Sequence, residues 1–147
     1  MSFLPENLDE IQEATAAPAG SYELQITECE ETRTGENSKH PGAPMFKVNL
    51  GFVSEPNYNN IVHYISLPFE GDENTNFKLL MLKRFLSLFH IAYSNNTEQL
   101  AMDMPGQTAQ CEVTMSEPDD NGNVYNRLKI PRLRDEPKGE YRKPPRR

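Results

Sequence analysis

Five stretches of this sequence alternate apolar and polar side chains, and one stretch, between the third and the fourth, instead repeats apolar residues every three or four positions. That order constrains the fold most. A side-chain period of two lays one apolar face on a strand, whereas a period near 3.6 lays an apolar stripe along a helix. The first strand, over residues 21–32, puts Tyr22, Leu24 and Ile26 on one face against Glu23, Gln25 and Thr27. A mobile loop dense in Gly, Pro, Asn and Ser follows over residues 34–44. The second strand, over 45–53, turns Phe46, Val48, Leu50 and Phe52 one way and Lys47, Asn49 and Gly51 the other. After the turn Glu55-Pro56-Asn57, the third strand, over 59–67, has Ile61, His63, Ile65 and Leu67 inward and Val62 and Tyr64 outward.

Asp72, Asn74 and Thr75 supply side chains that accept from first-turn amides, so a helix starts there and runs over 76–91. Its stripe is Phe77, Leu80, Met81, Phe85, Leu88 and Phe89. Residues 93–106 read as a polar link. The fourth strand, over 106–116, buries Ala109, Cys111, Val113 and Met115, and a hairpin turn through Asn121-Gly122 leads to the fifth, over 124–133. There Leu128 and Ile130 face inward, and Tyr125, Arg127 and Lys129 outward. Phe46, Phe52, Phe77, Phe85 and Phe89 are assigned to the core on their apolar phase.

Five strands with one helix between the third and fourth give a mainly β fold, a five-stranded oligonucleotide-binding (OB) Greek-key barrel. The barrel occupies residues 20–133. Residues 1–19 form an acidic arm with a short helix over 8–14, and residues 134–147 form a flexible tail rich in Pro and Arg. A hydrophobic fraction of 36% with 12 prolines fits one small core with loose ends. No apolar run reaches the roughly 18 residues a membrane span requires, and the N-terminus is acidic where a secretory signal is basic, so a soluble, cytoplasmic chain is expected. Cys29 and Cys111 are too few for a disulfide framework or a four-ligand metal site.

Charge is unevenly distributed. Residues 127–147 hold nine Lys and Arg against three acids, whereas residues 1–31 hold eight acids and no Lys or Arg, within a net charge of -7. Such polarity points to a polyanion met by one end, or to two ends that meet each other. The acidic remainder opposes phosphate beyond about a Debye length, so local fields must carry any nucleic-acid contact.

Single strands are held by aromatic faces on which bases stack and by cations that track phosphates. The outward residues supply both: Lys47, Asn49, Tyr64, Tyr125, Arg127 and Lys129, with Tyr58 in the second turn, Lys39 and His40 in the first loop, and Arg132 near the end of the fifth strand. Tyr64 and Tyr125 are equally readable as ordinary strand residues with a wet hydroxyl, and the cations as solvated edge residues. Catalysis and cofactors are not expected. His40, His63 and His90 lack metal-ligand spacing, the run TGENSK lacks the second glycine of a phosphate-binding loop, and no GxSxG is present.

The segments PAGSYEL at 18–24 and HPGAPMFKV at 40–48, the helix opening FKLL at 77–80, and Gly122 followed by NRLK at 126–129 resemble phage-encoded single-stranded DNA-binding proteins. That divergent group is often labelled only as a domain of unknown function in replication or recombination cassettes. The resemblance covers residues 18–133 and implies an OB barrel that coats single-stranded DNA without strong sequence preference. It maps the binding face onto Lys47, Asn49, Tyr64, Tyr125, Arg127 and Lys129. Many such binders end in an acidic tail that recruits replication partners, whereas this chain ends in Arg142-Lys143-Pro144-Pro145-Arg146-Arg147. The expected partners are single-stranded DNA and replication or recombination proteins, with no membrane and with self-association left open. The rival reading is a non-enzymatic protein-interaction or virion-structural barrel.

Overall fold

The computed structural model describes Leu4, residues 15–55 and residues 57–133. The helix expected over 8–14 and the tail from Arg134 lie outside them. The strands are β1 (Gly20–Arg33), β2 (Pro44–Phe52), β3 (Ile61–Ser66), β4 (Thr108–Met115) and β5 (Asn126–Lys129), and the helices are α1 (Thr75–Leu88) and α2 (Thr97–Asp103). All pairings are antiparallel, in the order β3-β2-β1-β4-β5. The two edge strands come back into contact, so the sheet coils into a nearly closed OB-like barrel.

The bend that allows this is built into β1. Leu24 and Ile26 are buried and pair with Phe52 and Leu50, but the register shifts between Ile26 and Glu28, after which Cys29 pairs with Val48. The extra residue, Thr27, moves the inward phase from even to odd positions, and a bulge of this kind bends the strand and increases its twist. Beyond it, Glu28 and Glu30 stay out of the core. The Thr27 hydroxyl donates to the Asn49 carbonyl at 3.2 Å, across the bulge.

The core is filled by the inward strand residues named above together with one stripe of α1. That stripe is Leu82, Phe85, Leu86 and Phe89, at i, i+3, i+4 and i+7. It corrects the one expected from sequence. Phe77 precedes Leu82 by five positions, which carries it off the buried side, and it is 52% exposed instead of core. Phe85 lies at the centre, stacked 6° from parallel on His63 of β3 at 5.4 Å and tilted against Phe89 at 5.0 Å. Burial against this ring pushes the His63 imidazole below its ordinary pKa.

The start of α1 is organised by Asp72, not by the Asn74 side chain. The Asp72 carboxylate accepts from the Asn74 N–H at 2.9 Å and from the Lys78 ammonium, which also lies 4.6 Å from the Phe69 ring centre. The Lys78 hydrogen bond, chief among these, holds the Asp72 carboxyl below the usual carboxylate range. The helix ends earlier than residue 91. His90 adopts a left-handed φ of 57°, and the N–H groups of His90 and Ile91 donate to the Ser87 and Leu86 carbonyls at 3.2 and 2.9 Å, a Schellman ending.

The stretch expected to be a polar link holds α2. The Asn96 side chain caps it by accepting from the Gln99 N–H at 3.2 Å, and Leu100 and Met104, one turn apart, are buried. β5 is shorter than its alternation suggested: Ile130 lies beyond it, and Leu128 and Ile130 are only half-buried. Met115, at the end of β4, is 45% exposed rather than core.

The gap between β3 and β5 is bridged by a segment within residues 1–19. Thr15 donates its N–H to the Asn57 carbonyl and accepts from the Asn59 N–H, both at 2.9 Å. Ala17 is fully buried; its N–H donates to Asn126 Oδ1 at 2.7 Å, and Asn126 Nδ2 returns a bond to the Ala17 carbonyl at 2.8 Å. The packed body therefore reaches back to Thr15.

Candidate nucleic-acid interface

Strand pairing sets the outward residues side by side. Lys47 pairs with Tyr64 and Asn49 with Val62 across β2 and β3. Tyr64 is 53% exposed and Val62 43%, so both rings and methyls face solvent on a surface where apolar groups are normally scattered singly. Around the seam, Val62 and the adjacent Asn59 and Asn60 face Tyr125 and Arg127 across a cleft of about 320 Å³. Lys47, Asn49, Tyr64, Tyr125 and Arg127 thus fall on one continuous outer stripe running from β2 over β3 to β5.

Tyr125 is held by its own hairpin. Its N–H donates to Ser116 Oγ at 2.9 Å, and its hydroxyl donates to Asp119 Oδ2 at 3.2 Å. Asp119 also accepts from the N–H groups of Asn123 and Asn121, each at 2.9 Å, and these bonds, that from Asn123 first, keep its carboxyl below the usual range. With both ends of the residue fixed, a ring that is still 56% exposed offers a face already oriented for stacking.

The remaining sequence candidates are placed differently. Tyr58 is half-buried, edge-on to Tyr22 and Phe52 at 5.9 and 5.2 Å, so its ring is engaged in the packing under the seam. Lys129 shares the outer face of β5 but pairs with Glu112 at 3.5 Å; with both side chains 66% exposed, the bond is worth well under about 1 kcal/mol and yields readily to a phosphate. Lys39 is exposed in the loop that leads into the Lys47 end of β2. That loop is closed at its base, where Thr34 donates its N–H to the Ala43 carbonyl at 2.9 Å. Arg132 lies apart, at a cleft with Arg84 and His90 beside the end of α1.

Two features of the surface were not read from sequence. Asn59 and Asn60 stand at the cleft; the sequence placed them at the start of the third strand, whereas β3 begins at Ile61. Acid also borders the stripe, because Glu30 pairs with Lys47 and Glu28 with Asn49 on the other side of β2. Only the register shift in β1 brings those two carboxylates there.

The cysteines are packing residues. Burial, helped by Glu30 and Glu31, pushes the Cys29 thiol up to about 12, and burial pushes Cys111 up to about 11. Among the described residues, no three His, Cys, Asp or Glu side chains are grouped to hold a metal ion, and no helix is long and apolar enough to cross a membrane.

A family described as a protein of unknown function, DUF669, matches residues 7–141, and the chain belongs to that family. No curated protein matches the sequence.

Proposed function

We propose that this chain is a sequence-tolerant, non-enzymatic single-stranded DNA-binding protein, acting in phage DNA replication or recombination by base stacking and phosphate neutralisation. The observation that carries the reading is the outer surface on which Lys47 pairs with exposed Tyr64 across β2 and β3, while exposed Tyr125 and Arg127 line the cleft opposite Val62. Stacking faces spaced between cations suit a strand whose bases are unpaired, since every base has a π-face and every nucleotide a phosphate. A duplex presents neither the free faces nor this spacing.

The test is fluorescence-anisotropy titration of a labelled oligo-dT at low and moderate salt, with duplex DNA and RNA as competitors. Binding is expected to weaken steeply with salt and to resist duplex. Tyr64→Ala and Tyr125→Ala are each expected to weaken it by about 1–3 kcal/mol, roughly five- to 150-fold. Absence of binding at low salt refutes the proposal.

One observation favours a protein-interaction barrel instead. A shallow apolar groove of about 500 Å³ runs along the outside of α1, lined by Leu79, Leu86, Ile91 and Tyr93, with Leu79 39% and Tyr93 65% exposed. Under that reading the stripe variants leave partner binding unchanged and DNA binding is absent.

A further inference from the structure

We infer that the cleft between β3 and β5 accepts one unstacked purine, adenine in preference to the other bases, and so gives an otherwise indifferent DNA-binding surface a single point of base preference. The inference rests on the single-stranded DNA reading above and adds to it a site with its own chemistry.

Size is the first argument. At about 320 Å³ the cleft lies at the small end of ligand pockets, which suits one planar ring system and not a run of bases. Its walls are the second. Val62 and the fixed ring of Tyr125 provide apolar surface on opposite strands, the arrangement that holds a splayed-out base by its faces.

The polar groups at the cleft complete the site. Of the three asparagines at the cleft, Asn126 is fully committed: it accepts from the Ala17 N–H and donates to the carbonyls of Ala17 and Thr114. Asn59 and Asn60 are both exposed, and among the described residues neither side chain makes a hydrogen bond. Their backbone is nonetheless anchored, because the Asn59 N–H donates to the Thr15 carbonyl at 2.9 Å. Asn60 Oδ1 lies over Gly51, 3.4 Å from where a Cβ would stand, so the missing side chain on β2 gives this carboxamide its place. A carboxamide offers a donor and an acceptor side by side, the complement of adenine N6 and N7. Arg127, which makes no ion pair among the described residues, stands at the opposite lip, where the flanking phosphate would pass.

The decisive experiment compares labelled oligo-dT with the same oligomer carrying one central dA or one central dC, using the full chain. In the wild type the dA oligomer is expected to bind about tenfold more tightly than all-dT, and the dC oligomer like all-dT. The double variant Asn59→Ala/Asn60→Ala is expected to bring the dA to dT ratio to about one, with unchanged thermal unfolding as the control for folding. A wild-type ratio near one, a preference for dC, or a dA preference that survives in the double variant overturns the inference while leaving the DNA-binding reading intact. Absence of binding to all three oligomers overturns both.

Discussion

Replacing Asn126 by alanine tests whether one side chain closes the barrel. The wild-type carboxamide makes two short bonds to the Ala17 peptide, at 2.7 and 2.8 Å, and a longer one to the Thr114 carbonyl at 3.3 Å. Each ordinary hydrogen bond contributes about 1 kcal/mol net, but a buried polar group left without a partner costs about 1–3 kcal/mol, and Ala17 has no exposed surface. The expected loss is therefore about 2–4 kcal/mol, a large share of the roughly 5–15 kcal/mol that holds a domain together. With a slope of about 2 kcal/mol/M in urea, the unfolding midpoint falls by about 1–2 M. Asn126→Asp separates the donor from the acceptor. It keeps the acceptor for the Ala17 N–H but sets a carboxylate against two carbonyls, so its deficit relative to wild type narrows as pH falls towards about 4 and the acid regains a proton to donate. Amide exchange at Ala17 is expected to be slow in the wild type and faster in the alanine variant. A midpoint within about 0.3 M of wild type refutes the reasoning, because it means that water serves the Ala17 peptide as well as Asn126 does.

Three further outcomes follow from the fold. His63 has a native pKa below its ordinary 6.5, so the unfolded chain takes up the proton first; stability is full above about 6.5 and is lost as pH falls from there through the lowered native value. Urea titrations across that window should show the loss, and His63→Leu should abolish it, whereas the depressed carboxyls of Asp72 and Asp119 act only below the ordinary 3.8. His90→Gly relieves the left-handed φ at the end of α1 and should stabilise by about 0.5–1 kcal/mol, read as a rise in melting temperature. With their thiols raised to about 12 and about 11, Cys29 and Cys111 should react with a thiol-directed reagent at neutral pH far more slowly than the same thiols in the urea-unfolded chain.

The inward phase of β2 and β3 was legible residue by residue, because Phe46, Val48, Leu50 and Phe52, and then Ile61, Ile65 and Leu67, keep a strict period of two. The barrel architecture followed from a helix placed between the third and fourth strands. What escaped were features without a local period. α2 is seven residues long, too short for an apolar repeat to register beyond Leu100 and Met104. The Ala17 to Asn126 contact joins positions 109 residues apart, and no single segment announces it. Tyr58 sat in a turn, where an aromatic ring carries no phase, and its burial depends on Tyr22 and Phe52 from two other places in the chain. In the candidate site, Tyr64, Tyr125, Lys47 and Arg127 were legible as outward residues. That Glu28 and Glu30 border them was not, since a bulge at Thr27 reverses the phase that simple alternation assigns.

The asparagine clasp also bears on how the chain folds. Neighbouring strands β1 and β2 can pair after closing a short loop, but the Ala17 to Asn126 bonds require the two ends of the barrel to meet across nearly the whole chain. Pairing of β1 with β4, which sets Gly20 opposite Val113, already spans most of that separation, so the clasp closes only a short further loop and is expected to form after that pairing. A residue that acts late leaves the folding rate nearly untouched and shows its energy in the unfolding rate. Asn126→Ala is therefore expected to raise the unfolding rate and leave the refolding rate nearly unchanged, the behaviour of a latch that sets how long the closed barrel persists.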